Sequence, residues 1–322
     1  MTKGYELVRR DLNMYLEHFS LRELPFSLTP NTDFFCRLPG HQEAINTVLF
    51  ALNSGEGFIK VTGEVGVGKT LICRELIHRI KDKFPNFITC YFPNPDLTSQ
   101  GLVEMMANAL SVPYKIGENQ HNIISSIHKK LLTHAKDDQR VVLMVDEAQA
   151  LNYESLEMLR LLTNLETQNN KLLHIILFAQ PELDERLNKP ELRQLTQRIT
   201  FSYYVPSISE QDLDLYLCHR LIAAGHSNGL LFSIGAKRLL LKASTGIPRI
   251  INILCHKAML AAYGKGAIQI DAKAIRDSVS DSKEIVQTSQ YRKYVVHQKS
   301  LILGSICCLL VAMAVGCMKI YL

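Results

Sequence analysis

The chain has 322 residues with a formal net charge of +5, 47% of them apolar and 21% charged. That length supports about two domains, and the mild positive balance lacks the clustered excess of a dedicated nucleic-acid binder. Its eight cysteines form no C-x-x-C pair and its eleven histidines are dispersed, which argues against a disulfide framework or a zinc site and for free thiols in a reducing compartment.

In chain order, residues 1–30 read as an N-terminal extension that ends in an extended strip, Leu24-Pro25-Phe26-Ser27-Leu28-Thr29-Pro30. An α/β core is expected over 31–206. It opens with a strand, Phe58-Ile59-Lys60-Val61-Thr62, and then a helix whose apolar stripe is Ile72, Leu76, Ile80 and Phe84. A second strand, Phe87 to Phe92, is broken by Pro93 and Pro95, and helices follow near 100–110 and 121–136. Val141 to Val145 is a continuous apolar run of the kind that makes a strand buried on both faces. Next come a helix bearing Met158, Leu161, Leu162 and Leu165, a strand from Leu172 to Phe178, and a fifth strand from Thr200 to Val205. This alternation predicts a five-stranded parallel sheet with covering helices.

From residue 207 to 277 the pattern is helical. Ser209-x-x-Asp212 reads as a capping box with Asp in the place of Glu, Ser233 as a second cap, and Pro248 as a first-turn proline of a helix ended near Gly264. A short extended piece is expected at Ala267–Ile270. Residues 278–300 are polar and mixed in charge, suited to a tether. Leu301 to Met318 carry no charge and meet the length of a membrane-spanning helix, predicted over 301–319. Lys319 and Tyr321 suit an interfacial position, and Arg292, Lys293 and Lys299 upstream place the larger part of the chain in the cytoplasm by the positive-inside bias. The expected arrangement is therefore a single pass through a membrane.

Between the first strand and its helix stands Gly63-Glu64-Val65-Gly66-Val67-Gly68-Lys69-Thr70, a phosphate-binding loop. Its glycines let successive backbone N–H groups turn around a di- or triphosphate at the positive end of the next helix. Lys69 is placed to reach the β and γ phosphates and the Thr70 hydroxyl to ligate Mg²⁺. Asp146 and Glu147 end a buried strand, where two carboxylates are costly without a partner or a metal. Asp146 is assigned to Mg²⁺ with Thr70, and Glu147 to the water that attacks the γ-phosphate. Both motifs are expected at the carboxyl edge of one sheet, with a nucleoside triphosphate as the ligand. In that setting the strip 24–30 is suited either to wrap the adenine or to cover the core as a strand. Arg249, at a helix N-terminus, lies at the unfavourable end of the dipole unless an anion such as the γ-phosphate joins it.

An α/β core, a helical lid and these two motifs resemble the AAA+ ATPases. The resemblance implies a P-loop fold, ATP and Mg²⁺ as ligands, and homo-oligomeric assembly. It implies a sensor-1 role for Gln180, which follows the fourth strand. Gly246-Ile247-Pro248-Arg249 resembles the sensor-2 motif, giving that role to Arg249. An arginine finger for a neighbouring subunit falls to Arg198 ahead of Arg193, because Arg198 is nearer the fifth strand. Met14-Tyr15-Leu16-Glu17-His18-Phe19-Ser20-Leu21, Pro25 to Asn31, Gly57 to Gly66, Asp146 to Leu151 and Gln180-Pro181-Glu182-Leu183 are similar to the ExeA/GspA family of secretion-assembly ATPases. That family implies that the membrane crossed is the inner one, with partners among inner-membrane proteins of a type IV pilus or type II secretion apparatus. The alternative is an AAA+ ATPase that regulates or loads machinery on DNA; nucleic acid is not the expected partner, because the lid leads to an apolar segment and not to a basic one.

Overall fold

Each of the five apolar runs forms a strand: β1 (Phe58–Gly63), β2 (Phe87–Phe92), β3 (Arg140–Val145), β4 (Leu173–Ala179) and β5 (Phe201–Val205). The computed structural model describes residues 13–29, 31–93, 98–166 and 171–284. All neighbouring strands are parallel, in the order β2-β3-β4-β1-β5. Side chains alternate across a strand, so β3 sends Val141, Leu143 and Val145 into one core and Val142 and Met144 into the other. β4 does the same with Ile175 and Leu177 against Ile176 and Phe178, and every one of its residues is buried. A strand covered on both faces has no place for a polar alternation, which is why these runs look continuously apolar in sequence.

After a helical segment α1 (described over 13–18) come α2 (Pro39–Asn53) and α3 (Lys69–Lys83), which cover one face of the sheet with Ile45, Val48, Ile72 and Leu76. The other face receives α4 (Ser99–Ala109), α5 (Gln120–Lys136) and α6 (Tyr153–Leu162), through Leu102, Met106, Ile127 and Leu159. Each such side chain, fully buried, stabilises the fold by about 1.5–3 kcal/mol relative to exposure. One expected core position is displaced. Leu161 is 44% exposed, and the stripe of α6 is instead Leu156, Met158, Leu159 and Leu162. α7 (Glu182–Leu187) and α8 (Arg193–Thr196) link β4 to β5.

The remaining helices, α9 (Glu210–Ala223), α10 (Ile234–Ser244), α11 (Pro248–Tyr263) and α12 (Ala272–Ser280), share a third core. Their starts are chemically marked. Ser209 Oγ accepts from the Asp212 amide and donates to its carboxylate at 2.6 Å, Ser233 caps α10 through the Ala236 amide, and Pro248 occupies the first turn of α11. The extended piece is a single parallel bridge, Phe232 to Ile270.

The strip before the core does not form a strand over residues 24–29. Tyr15, Phe19, Leu21 and Phe26 instead enter the helical core, with Phe26 edge-on to Phe232 at 5.8 Å. Arg220 of α9 fastens the strip. It is 5% exposed, donates from Nε to the Pro25 carbonyl at 2.6 Å and from Nη2 to the Ser27 carbonyl at 3.2 Å, and lies 5.1 Å from the Phe34 ring centre. Carbonyl dipoles and ring faces offset the desolvation of this buried cation. The predicted spanning segment 301–319 and most of the tether lie outside the described residues. Among the described residues no helix is long and apolar enough to cross a membrane.

The passage from β5 to α9 is held by a bond from the Ile208 amide to the Gly246 carbonyl, 2.8 Å. Gly246 has φ +76°, and a Cβ there would drive into the Ile208 carbonyl oxygen. Gly246→Ala is therefore expected to destabilise the chain by about 2 kcal/mol or more. A chemical-denaturation midpoint equal to that of the unsubstituted protein would contradict this account.

Candidate nucleotide site

The register of the sheet places the functional residues at one edge. Thr62 of β1 pairs with Ala179 of β4, and Val145 of β3 pairs with Leu177 of β4. The glycine-rich loop, Gln180 and the Asp146-Glu147 pair therefore leave the same carboxyl end, with β4 between the other two strands.

The loop is shaped by two left-handed glycines, Gly66 at φ +82° and Gly68 at φ +104°. Val67 between them is fully buried and anchors the loop on the core shared by α2 and α3. Gly68 is the N-cap of α3 and has no side chain to cap it, which leaves the first-turn amides suited to an anion. Lys69 is 5% exposed, and its Nζ donates to the carbonyls of Gly63 at 2.8 Å and Glu64 at 2.9 Å. Burial lowers its pKa from the ordinary lysine value, against the pull of the Glu147 and Asp146 charges. The Glu64 side chain turns outward to the Tyr204 hydroxyl at 3.4 Å.

Thr70 Oγ1 donates to Asp146 Oδ2 at 2.7 Å, and the Glu147 amide donates to Oδ1 at 3.0 Å. The Tyr91 hydroxyl approaches Oδ2 at 3.4 Å. Asp146 is 2% exposed, and burial raises its pKa above the ordinary aspartate value while the Thr70 and Glu147 bonds oppose the rise. All of its hydrogen-bond donors are neutral, so the carboxylate keeps its charge for a cation. Together with the Thr70 hydroxyl it forms a pair of hard oxygen donors that fits Mg²⁺. Glu147 sits in the left-handed region at φ +53°. Its Oε2 accepts from Gln149 Nε2 at 2.5 Å and from Gln180 Nε2 at 3.1 Å.

A cleft of about 200 Å³ gathers these groups. Val65, Gly66, Gly68, Lys69 and Thr70 line it from the loop, and Glu147 and Gln180 from the sheet edge. Pro248 and Arg249 of α11 and Tyr216, Arg220 and Asn252 of the helical core form the opposing wall, with Ser27, Leu28 and Thr29 of the strip beside them. The strip thus both packs on the helical core through Phe26 and borders the cleft. The Arg249 amide donates to the Gly66 carbonyl at 3.2 Å, so lid and loop touch directly. Arg198 and Arg193 are exposed and do not line the cleft.

Three residues have roles here that the sequence did not expose. His41, 7% exposed and stacked on Phe35, faces the Val67 carbonyl with Nε2 at 3.0 Å and supports the loop from beneath. Gln149 bridges Glu147 and β4. Arg220 holds the strip. The only sequence signal was Gln149's proximity to the carboxylates; the other two act through segments far away along the chain.

The raised pKa of Asp146 means that a proton competes with a cation for this carboxylate. Affinity for magnesium nucleotide is expected to climb with pH above the ordinary aspartate range, about 3.9, and to level off once Asp146 is ionised. Calorimetric titration at stepped pH checks this; a flat profile, or one unchanged by Asp146→Asn, would refute it.

Residues 52–187 match the AAA domain family. General secretion pathway protein A of Aeromonas hydrophila is 39% identical over 257 residues, covering 80% of this chain and 46% of that protein, so the chain spans about half the length of this relative. Among solved structures, Cdc6p of Pyrobaculum aerophilum superposes with a TM-score of 0.60 at 18% identity, over 80% of this chain and 70% of that one. The Aeropyrum pernix ORC2 protein in its ADP form gives 0.59 at 15% identity, over 80% and 71%. The structural likenesses establish fold alone. Taken with the parallel strand order and the loop–carboxylate geometry, the matches show that the chain carries an AAA-type ATPase domain and is similar over 257 residues to general secretion pathway protein A.

Proposed function

We propose that this chain binds and hydrolyses ATP with Mg²⁺, and that its lid converts turnover into work on an inner-membrane assembly, either a type II secretion apparatus or a type IV pilus. The observation that carries the reading is the convergence of Lys69, Thr70, Asp146, Glu147 and Gln180 on one edge of the sheet, with Arg249 on the facing wall of the cleft. The secretion relative supports the setting. The finer assignment, to mannose-sensitive haemagglutinin pilus biogenesis in the manner of MshM, rests on the resemblance of residues 14–277. Anchoring by 301–319 rests on the uncharged run in the sequence, with the AAA domain in the cytoplasm. The likeness to origin-recognition proteins is one of fold, and no observation favours the DNA reading.

Each residue has a distinct task in this mechanism. Gly66 and Gly68 let backbone amides approach the phosphates, and Lys69 leaves its two carbonyl acceptors to meet them. Thr70 and Asp146 would hold Mg²⁺, which would offset the charge of the β and γ phosphates when bound. Glu147 orients the attacking water and takes its proton, while Gln180 steadies the same carboxylate. Arg249, on the wall facing the loop, stabilises the charge that develops on the transferred phosphoryl group. Arg198 is free on the surface to serve a neighbouring subunit, which makes turnover dependent on oligomer formation. A finger supplied in trans accelerates hydrolysis by roughly 10³–10⁵.

Glu147→Gln is expected to retain ATP binding and to lower kcat by about 10²-fold or more; preserved turnover would remove Glu147 from the mechanism. Specific activity should rise with protein concentration, and Arg198→Ala should abolish that rise. A rate per subunit independent of dilution would sink the trans role. Deleting residues 301–322 should release the protein from the membrane fraction, and its recovery there regardless would refute the anchor.

A further inference from the structure

Gln149 is half-buried directly behind Glu147 and, unlike Glu147 and Gln180, does not line the cleft. It is tied at three atoms. Its Nε2 donates to Glu147 Oε2 at 2.5 Å, its Oε1 accepts from the Gln180 backbone amide at 3.0 Å, and its carbonyl accepts from Arg186 Nη1 at 2.8 Å. The direction of the side-chain amide follows from the chemistry. A backbone N–H can only donate, so Oε1 must face Gln180 and the NH₂ group must face the carboxylate. Gln149 therefore belongs to a closed loop of hydrogen bonds joining the end of β3, the end of β4 and α7.

Two features of Glu147 call for such a support. Its φ of +53° is a strained conformation for a residue with a side chain, and it persists only where surrounding contacts determine it. Both amide donors also fall on the same oxygen, Oε2, so Oε1 accepts no hydrogen bond among the described residues. With Oε2 tethered from behind by Gln149, the free oxygen remains for a water on the cleft side.

We propose that Gln149 is the positioning residue for Glu147: it holds the carboxylate toward the cleft with one oxygen presented to the attacking water, and it couples that carboxylate to the backbone of Gln180. The role rests on the ATPase reading above. Gln180 by itself cannot supply it, because its own backbone is oriented by the Gln149 oxygen.

The test uses the full chain with Mg-ATP and measures kcat, KM, ATP affinity by a fluorescent nucleotide, and melting temperature. Gln149→Ala should lower kcat by about 10- to 100-fold with ATP affinity unchanged within about twofold. Gln149→Glu keeps the shape of the side chain but donates to Glu147 only when protonated. Its kcat relative to the unsubstituted chain should therefore rise as pH falls, a dependence that a merely structural role would not produce. A kcat for Gln149→Ala within about twofold of the unsubstituted value, a loss that only tracks weakened ATP binding or folding, or a pH-independent ratio for Gln149→Glu would overturn the proposal. Absence of turnover in the unsubstituted chain would instead overturn the ATPase reading on which it rests.

Discussion

One backbone hydrogen bond, from the Arg249 amide to the Gly66 carbonyl, governs how the two halves of this protein meet. It forms because residue 66 has no side chain. A Cβ at that position would stand 2.6 Å from the Arg249 Cβ, and the φ of +82° would strain any residue that carried one. The same absence that lets the loop curl around phosphates also lets the lid rest on the loop. A ligand entering the cleft consequently meets a wall of each kind, and a change in the loop has a direct route to α11.

The electrostatics of the cleft point the same way. Burial disfavours the charged forms of both Lys69 and Asp146, and their present partners are two loop carbonyls for Lys69 and the Thr70 hydroxyl, Glu147 amide and Tyr91 hydroxyl for Asp146. These are modest compensations for buried charges. Phosphate oxygens would offset Lys69 and a divalent cation would offset Asp146 far better. Part of any affinity for a magnesium nucleotide would thus arise from relieving groups that the fold already holds at a cost.

On the far wall the N-terminal strip belongs to the helical core. Phe26 packs among the lid helices, and Arg220 fixes the Pro25 and Ser27 carbonyls, so Ser27, Leu28 and Thr29 are carried by the helical core and not by the sheet. The phosphate end of the cleft is built by the α/β core and the opposite end by the lid. A nucleotide spanning both would be sensitive to the angle between them, which gives the lid's position a physical link to ligand state.

The amino-acid sequence by itself determined the parts whose chemistry is local. Gly66, Gly68, Lys69 and Thr70 are adjacent along the chain, and the five apolar runs are short enough for their burial to be visible as composition. Helix starts at Ser209, Ser233 and Pro248 depend on neighbours three residues away or fewer, and they too were evident. Tertiary structure decided what depends on distant segments. The strip 24–29 was open between two readings because neither Phe26 nor Ser27 reveals that Arg220, nearly two hundred residues later, will hold it. Leu161 turned outward because one helical position more or less rotates a side chain by about 100°. Gln149 acquired its partners Gln180 and Arg186 only when β4 was laid beside β3, since hydrogen-bond direction is set by geometry in space and leaves no mark on residue order.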